Sequence, residues 1–295
     1  MFEGFSAIDK ISSKSMEQDR VIDSLHEKFE NQKKHYQPKA EDFLDEKGFD
    51  RNEVEKEIAQ AKNLKEKWLQ QNGDYEQKNK RISDVFEGII VDEFCGEWMA
   101  NQAEAFFSAE EDDFLRKVDC VIEFKPAEGE TDREYLALGI DVTFSSDYAT
   151  VDNKLSEVWK DVERSKKIPV KYVDTEHYKG SLEVCRIVIA ADKETVFELA
   201  RLYKHKDKSE IDNHPFLANI ILQMKCQLEA YYNYAQQSGA KGDYLKHVTK
   251  TLSTFYRVWE EKEEFVKQQY DAVAASAVFK TIQSYCDSKL KQLEK

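Results

Sequence analysis

Proline and glycine are scarce in this chain: it has four prolines and ten glycines in 295 residues. So little of either excludes a loop-rich or collagen-like fold and favours long helices. The five cysteines, Cys95, Cys120, Cys185, Cys226 and Cys286, are scattered, odd in number and contain no Cys-x-x-Cys pair. That pattern argues against a disulfide framework and for reduced thiols, the state expected of a cytoplasmic protein. The basic, apolar start of a signal peptide is missing, and so is any apolar run long enough to span a bilayer, so the expectation is a soluble chain with no membrane partner. No P-loop, GxGxxG or GxSxG is present. His177, His205, His214 and His247 do not fall at metal-ligand spacings with the cysteines, which argues against zinc.

What the chain does have is charge. Charged residues make up 35% and aromatic residues 12%, with a formal net charge of -14. The apolar content is enough for a core beneath a heavily solvated surface. The acidic balance speaks against a generally basic nucleic-acid-binding surface and leaves room only for a local groove that presents cations.

Three stretches differ in pattern. Residues 1–80 carry helical apolar spacing (Val21, Ile22, Leu25, Phe29, then Val54, Ile58, Ala61, Leu64, Trp68) broken at Gln37-Pro38 and Asn72-Gly73. This reads as an N-terminal helical hairpin packed on a core or on a partner. Residues 81–205 mix helices with strands and read as a central sheet covered by helices, an α/β core. Residues 206–295 are helical again, with an apolar stripe through Phe216, Ile220, Met224 and Leu228. The helical extensions are the expected contact for a protein partner or a second copy of the chain.

The middle stretch holds the residues that suggest chemistry. Two strand-like segments, Lys117 to Phe124 and Tyr135 to Phe144, each carry one aspartate in an apolar run. At period two, Asp119 shares a face with Val121 and Glu123, and Asp141 shares one with Ala137, Gly139 and Thr143. A carboxylate on a half-buried strand is costly unless it is paired, hydrogen-bonded or bound to a cation. Ile82 to Phe107 reads as one helix, and at about 100° per residue Glu93, Glu97 and Glu104 fall on its apolar stripe. The helix after the second strand, Val151 to Ser165, carries Lys154 at the edge of its core face, one turn in, where it can reach back toward the strand of Asp141. Lys166, Lys167, Lys171 and Lys179 cluster around the later strand Pro169 to Val173 and read either as solvated loop lysines or as contacts to a phosphate backbone.

An acidic helix, Asp119 in one strand, Asp141-Val142-Thr143 in the next and Lys154 on the following helix together resemble the PD-(D/E)XK nuclease superfamily. The resemblance spans Ile82 to Val173. Val118 stands where that family often has proline, and Thr143 stands where it has its motif lysine. Lys154 matches members in which the lysine has migrated to the adjacent helix. The family also has a strand before the one bearing Asp119, and the sequence does not display one.

The resemblance implies a restriction-endonuclease-like core (81–205) between helical extensions, and a metal-dependent nuclease acting on DNA. Its metal would be Mg²⁺ or Mn²⁺, held by Asp119, Asp141 and a helix acid, Glu97 or Glu93, with the carbonyl of Val142. Hard divalent cations take oxygen ligands of this kind and keep several waters. Lys154 would orient the attacking water or stabilise developing charge. The alternative is a catalytically inactive nuclease fold that serves as a protein-interaction scaffold, a reading the net charge favours.

Overall fold

The structure, a computed structural model, describes residues 7–129, 131, 133–143, 149–239 and 242–293, with backbone alone for 7–14 and 141–143. Its elements in order are α1 (Ala7–Tyr36), α2 (Arg51–Gln71), α3 (Asp74–Phe94), β1 (Ala103–Phe107), α4 (Glu110–Arg116), β2 (Cys120–Phe124) and β3 (Glu134–Thr143). There follow α5 (Ala149–Glu163), β4 (Ile168–Asp174), β5 (Lys179–Asp192), α6 (Lys193–His205), α7 (Lys208–Asp212), α8 (Pro215–Gln237), α9 (Asp243–Ala275) and α10 (Ala277–Lys291). The five strands make one mixed sheet in the order β1-β2-β3-β5-β4. β1, β2 and β3 run antiparallel in turn, β3 and β5 are parallel, and β4 is antiparallel to β5. The fold is therefore mixed α/β, a central sheet flanked by helices.

The first correction falls between Ile82 and Phe107, which is not one helix. α3 stops at Phe94, a 3-10 turn covers Glu97–Met99, and Ala100 and Asn101 adopt left-handed backbone (φ 51 and 56). Gly96 and Asn101 are the residues that tolerate such a break. Beyond it, Ala103, Ala105 and Phe107 are buried while Glu104 and Phe106 are half-buried, a period of two that makes β1 a strand. β1 is thus a strand preceding β2, which begins at Cys120 and not at Lys117, so that Asp119 sits just before the strand. A five-residue segment with two alanines is too short and too weakly apolar to stand out beside a strong helical pattern.

The N-terminal helices pack on the core, one of the two placements expected of them, and each does so at its own place. α1 lies on α3 and α6, and α2 lies on α4. Gly88 of α3 allows this contact, because a Cβ there would collide with the ring of the buried Phe29 on α1. One continuous core runs from Val21 through the sheet to Cys286, so all three sequence stretches share it.

The sheet is sealed by side chains where strands end. Past Val184, β5 has no further partner from β4, and α8 supplies two glutamines instead. Gln227 accepts from the Val188 N–H (2.9 Å) and donates to its carbonyl (2.7 Å), and Gln223 does the same for Ala190 (2.9 Å each). On the same side of the sheet, along the outer edge of β4, the buried Asp112 of α4 accepts from the N–H groups of Lys171 and Tyr172 (both 2.9 Å). Backbone groups buried without a partner would be costly, so these side chains replace a missing strand. No helix among the described residues is long and apolar enough to cross a membrane.

Candidate active site

β2 pairs with only the first five residues of the ten-residue β3, and the candidate site begins where that ladder ends. The ladder ends at Cys120 opposite Leu138, with the Asp119 N–H donating to the Leu138 carbonyl (2.9 Å). Beyond that point the backbone of Ile140 has no β2 partner. The Asp119 carboxylate accepts from the Ile140 N–H (2.6 Å), and the Lys154 ammonium donates to the Ile140 carbonyl (2.6 Å). Two residues expected to act together therefore converge on one residue of β3.

Both line a cavity of about 400 Å³ whose walls come from α3, α4, α5, β3 and β5. Its floor is Gly139, whose missing side chain leaves the space open, since a Cβ there would meet nothing closer than 3.6 Å. Carried one step further, the β2/β3 register sets Gly139 level with Asp119. Asp141 lies two residues on, paired with Ala190 of β5, and so belongs to the same sheet face. The side chains of Asp141, Val142 and Thr143 lie outside the described residues.

The helix acid differs from expectation. Glu93 is buried, but it pairs with Lys208 of α7 and lines a different cavity between α1 and α6. Glu97 is exposed in the 3-10 turn and accepts from Asn101, and Glu104 pairs with Lys125 (3.4 Å) on the sheet edge. None of the three lines the Asp119 cavity. Glu87 does. It precedes Glu93 by six residues, about 9 Å along the helix and some 240° around it, so the two face different surroundings. The signal was present: Glu87 stands three residues before Ile90 and seven before Phe94, on the stripe that faces the sheet.

Sequence reasoning also missed Asp113. α4 ends in a tight cap in which the Lys117 N–H donates back toward Asp112 and Asp113, with Lys117 itself left-handed (φ 58). That turn sets the last coil of α4 directly before Asp119. Of the neighbouring acids, Asp112 is spent on β4 and Glu110 on Lys65, whereas Asp113 faces the cavity. Burial and the facing Asp119 push its carboxyl up to about 6. Burial, joined by the charges of Asp119 and Asp84 and opposed by Lys33, pushes Glu87 up to about 8.

Cations stand close behind. Lys33 of α1 reaches Glu87 (2.9 Å), and Lys80 reaches Asp84 (2.8 Å) one turn away. Burial raises the Asp84 carboxyl, but His26, Lys80 and Lys33 together hold it well below the usual range. His26, Glu30 and Asp84 lie close enough to share a metal ion. The two ammoniums already at Asp84 compete with a cation there. The basic cluster around β4 sits elsewhere: Lys171 is tied to Glu53 and Glu57, and Lys167 to Glu183, and neither lines the cavity.

The Asp119 charge raises the proton affinity of both Glu87 and Asp113, as a facing carboxylate does before a cation arrives. All three offer oxygen, the ligand type Mg²⁺ or Mn²⁺ prefers over a softer metal, but among the described residues only His26, Glu30 and Asp84 bring three ligand atoms close enough to share one ion. Comparison with known proteins gives no match among family models, curated proteins or solved structures.

Proposed function

We propose that the chain is a metal-dependent nuclease of the PD-(D/E)XK kind, hydrolysing phosphodiester bonds, with DNA as the leading substrate. The observation that carries this reading is the convergence of Asp119 and Lys154 on Ile140 at the wall of a cavity that also receives Glu87 and Asp113. The order of an acidic helix, β1, β2, β3 and α5 is consistent with that family, and β1 supplies the strand the sequence did not display.

Asp119 and Glu87 would hold Mg²⁺ or Mn²⁺, with Asp141 and the Val142 carbonyl as the remaining ligands on β3. When bound, the metal lowers the pKa of a coordinated water and neutralises phosphoryl charge. The chain's own contribution is positioning. The Ile140 carbonyl fixes Lys154 beside Asp119, where its ammonium can stabilise negative charge on the phosphate in the transition state. Glu87, raised to about 8, keeps its proton at neutral pH in the metal-free protein and would release it on loading, whereas Asp113, at about 6, is already largely ionised.

A second reading keeps the fold as a protein-interaction scaffold. It is favoured by the fact that Asp119 and Lys154 both satisfy orphaned backbone of β3, a sufficient structural reason for their presence. Cleavage assays with single- and double-stranded DNA and RNA separate the two. With Mg²⁺ or Mn²⁺, wild type should cleave, Asp119→Asn should not, and Lys154→Ala should lose about 10²–10³ in rate while still binding metal. No cleavage by wild type on any of these substrates, or full activity in Lys154→Ala, would favour the scaffold.

A further inference from the structure

The Asp119 cavity does not end at α3. Lys80 and Asp113 line it and also line a second, larger cavity of about 560 Å³, enclosed by the C-terminal end of α1, by α2 and by α4. Its outer wall carries Lys34, Lys39, Lys65 and Trp68. Lys34 and Lys39 are exposed, Trp68 is half-buried, and the adjoining Leu69 is 49% exposed. The other tryptophans do not share this setting: Trp98 and Trp159 are buried in the core, and Trp259 packs beneath Lys225 on α8.

The charges of this cleft nearly cancel. Asp84 is held by His26, Lys33 and Lys80, and Glu110 by Lys65. That leaves Glu30, Glu41, Glu111 and Asp113 against Lys34 and Lys39, six acids against five lysines in the whole lining. A duplex, held through its phosphates, needs a surplus of cations that neither this cleft nor a chain of net charge -14 offers. A single strand differs in presenting bases whose faces can stack on an aromatic ring, a contact that does not depend on surplus charge.

We infer that the cleft between α1, α2 and α4 is the track of a single nucleic-acid strand, with a base on Trp68 and the backbone passing Lys34 and Lys80 toward Asp119. This rests on the reading of the Asp119 cavity as a phosphodiester-cleaving site. It assigns the N-terminal helices a role in substrate selection. Because stacking supplies most of the hold, affinity should depend only weakly on salt, with a log–log slope no steeper than about -2.

The test is binding without chemistry. The full-length Asp119→Asn protein in EDTA is titrated with a labelled oligothymidylate about 12 nucleotides long, within the site sizes of single-strand binders, and with a hairpin duplex. The single strand should bind at least about tenfold more tightly than the duplex. Trp68→Ala should weaken single-strand binding by about 5- to 150-fold, the range measured for one stacked base, and Trp68→Phe should restore most of it. Tryptophan fluorescence should be quenched by the oligonucleotide in the Trp68-containing protein and unaffected in Trp68→Phe, which also controls for folding. Equal or tighter duplex binding, no binding of either probe, or a Trp68→Ala protein that binds like its parent would overturn the inference. The outcome is separable from that of the nuclease reading: binding through Trp68 without cleavage by wild type and metal defeats the nuclease alone, and cleavage with an indifferent Trp68 defeats the track alone.

Discussion

At the residue scale, the site is defined by backbone groups that lose their partners. Asp119 and Lys154 are where they are because Ile140 lies two residues past the end of the β2 ladder, and a carboxylate and an ammonium are the complementary partners for an N–H and a carbonyl. Glu87 is different, since its burial is opposed by Lys33 but reinforced by Asp119 and Asp84, and its folded pKa is raised to about 8. An acid raised in the folded state holds a proton that the unfolded chain has already lost. Its contribution to stability is therefore full below the ordinary carboxylate range and is lost as pH rises to about 8. The metal-free protein should accordingly lose thermal stability between about pH 5 and pH 8, a loss that Glu87→Gln should flatten. Added Mg²⁺ or Mn²⁺ at pH 8 should recover it, because a ligand that binds only the native state stabilises that state. Melting curves across this pH range, with EDTA and with metal, decide the point, and a flat profile in wild type would remove Glu87 from the site.

At the element scale, α1 controls what surrounds Glu87. Its Phe29 ring packs over Gly88, and its Lys33 reaches Glu87 in the next position of α3. Gly88→Ala would gain helix propensity but drive a methyl group into Phe29, for an expected net loss of about 1–2 kcal/mol. The same change should move Lys33 away from Glu87 and so raise the carboxyl's proton affinity further, which would appear as a shift of the pH-dependent stability loss toward higher pH. Denaturant unfolding at two pH values tests both parts. If Gly88→Ala is neutral or stabilising, the close approach of α1 and α3 is not as tight as the geometry requires.

At the scale of the whole molecule, the largest of three buried apolar clusters joins both ends of the chain to the sheet and predicts single behaviour. Apolar side chains from α1, the sheet and α8 to α10 belong to one cluster, so the N-terminal and C-terminal helical stretches should not unfold independently of the α/β centre. Far-ultraviolet circular dichroism reports all the helices, while the fluorescence of buried Trp98 and Trp159 reports the core; the two should give coincident thermal transitions. Separate transitions would mean that the stretches 1–80 and 206–295 are domains in the energetic sense.

Much of this architecture was legible in the residue pattern, for local reasons. Strands β2, β3 and β5 and helices α5 and α6 follow from period two or period 3.6 in apolar residues, and the candidate pair Asp119 and Lys154 stood out as polar groups set into those patterns. The extent of α3 and the existence of β1 did not, because a weak five-residue strand behind Gly96 is a smaller signal than the helical spacing around it. The choice of helix acid was equally beyond a one-dimensional reading. Glu87, Glu93 and Glu97 are all acids near apolar residues, and only the direction in which α3 crosses the sheet selects the one that meets Asp119. Asp113 comes from a helix whose acids look alike in the sequence; the left-handed cap at Lys117 turns one toward β4 and its neighbour toward the cavity. The sequence by itself determined the periodicities, and with them the elements and the mixed α/β class. Which charged groups meet was decided only by tertiary structure, because those contacts join residues as far apart in the chain as Glu93 and Lys208 or Glu53 and Lys171 and depend on where strands end and helices cross.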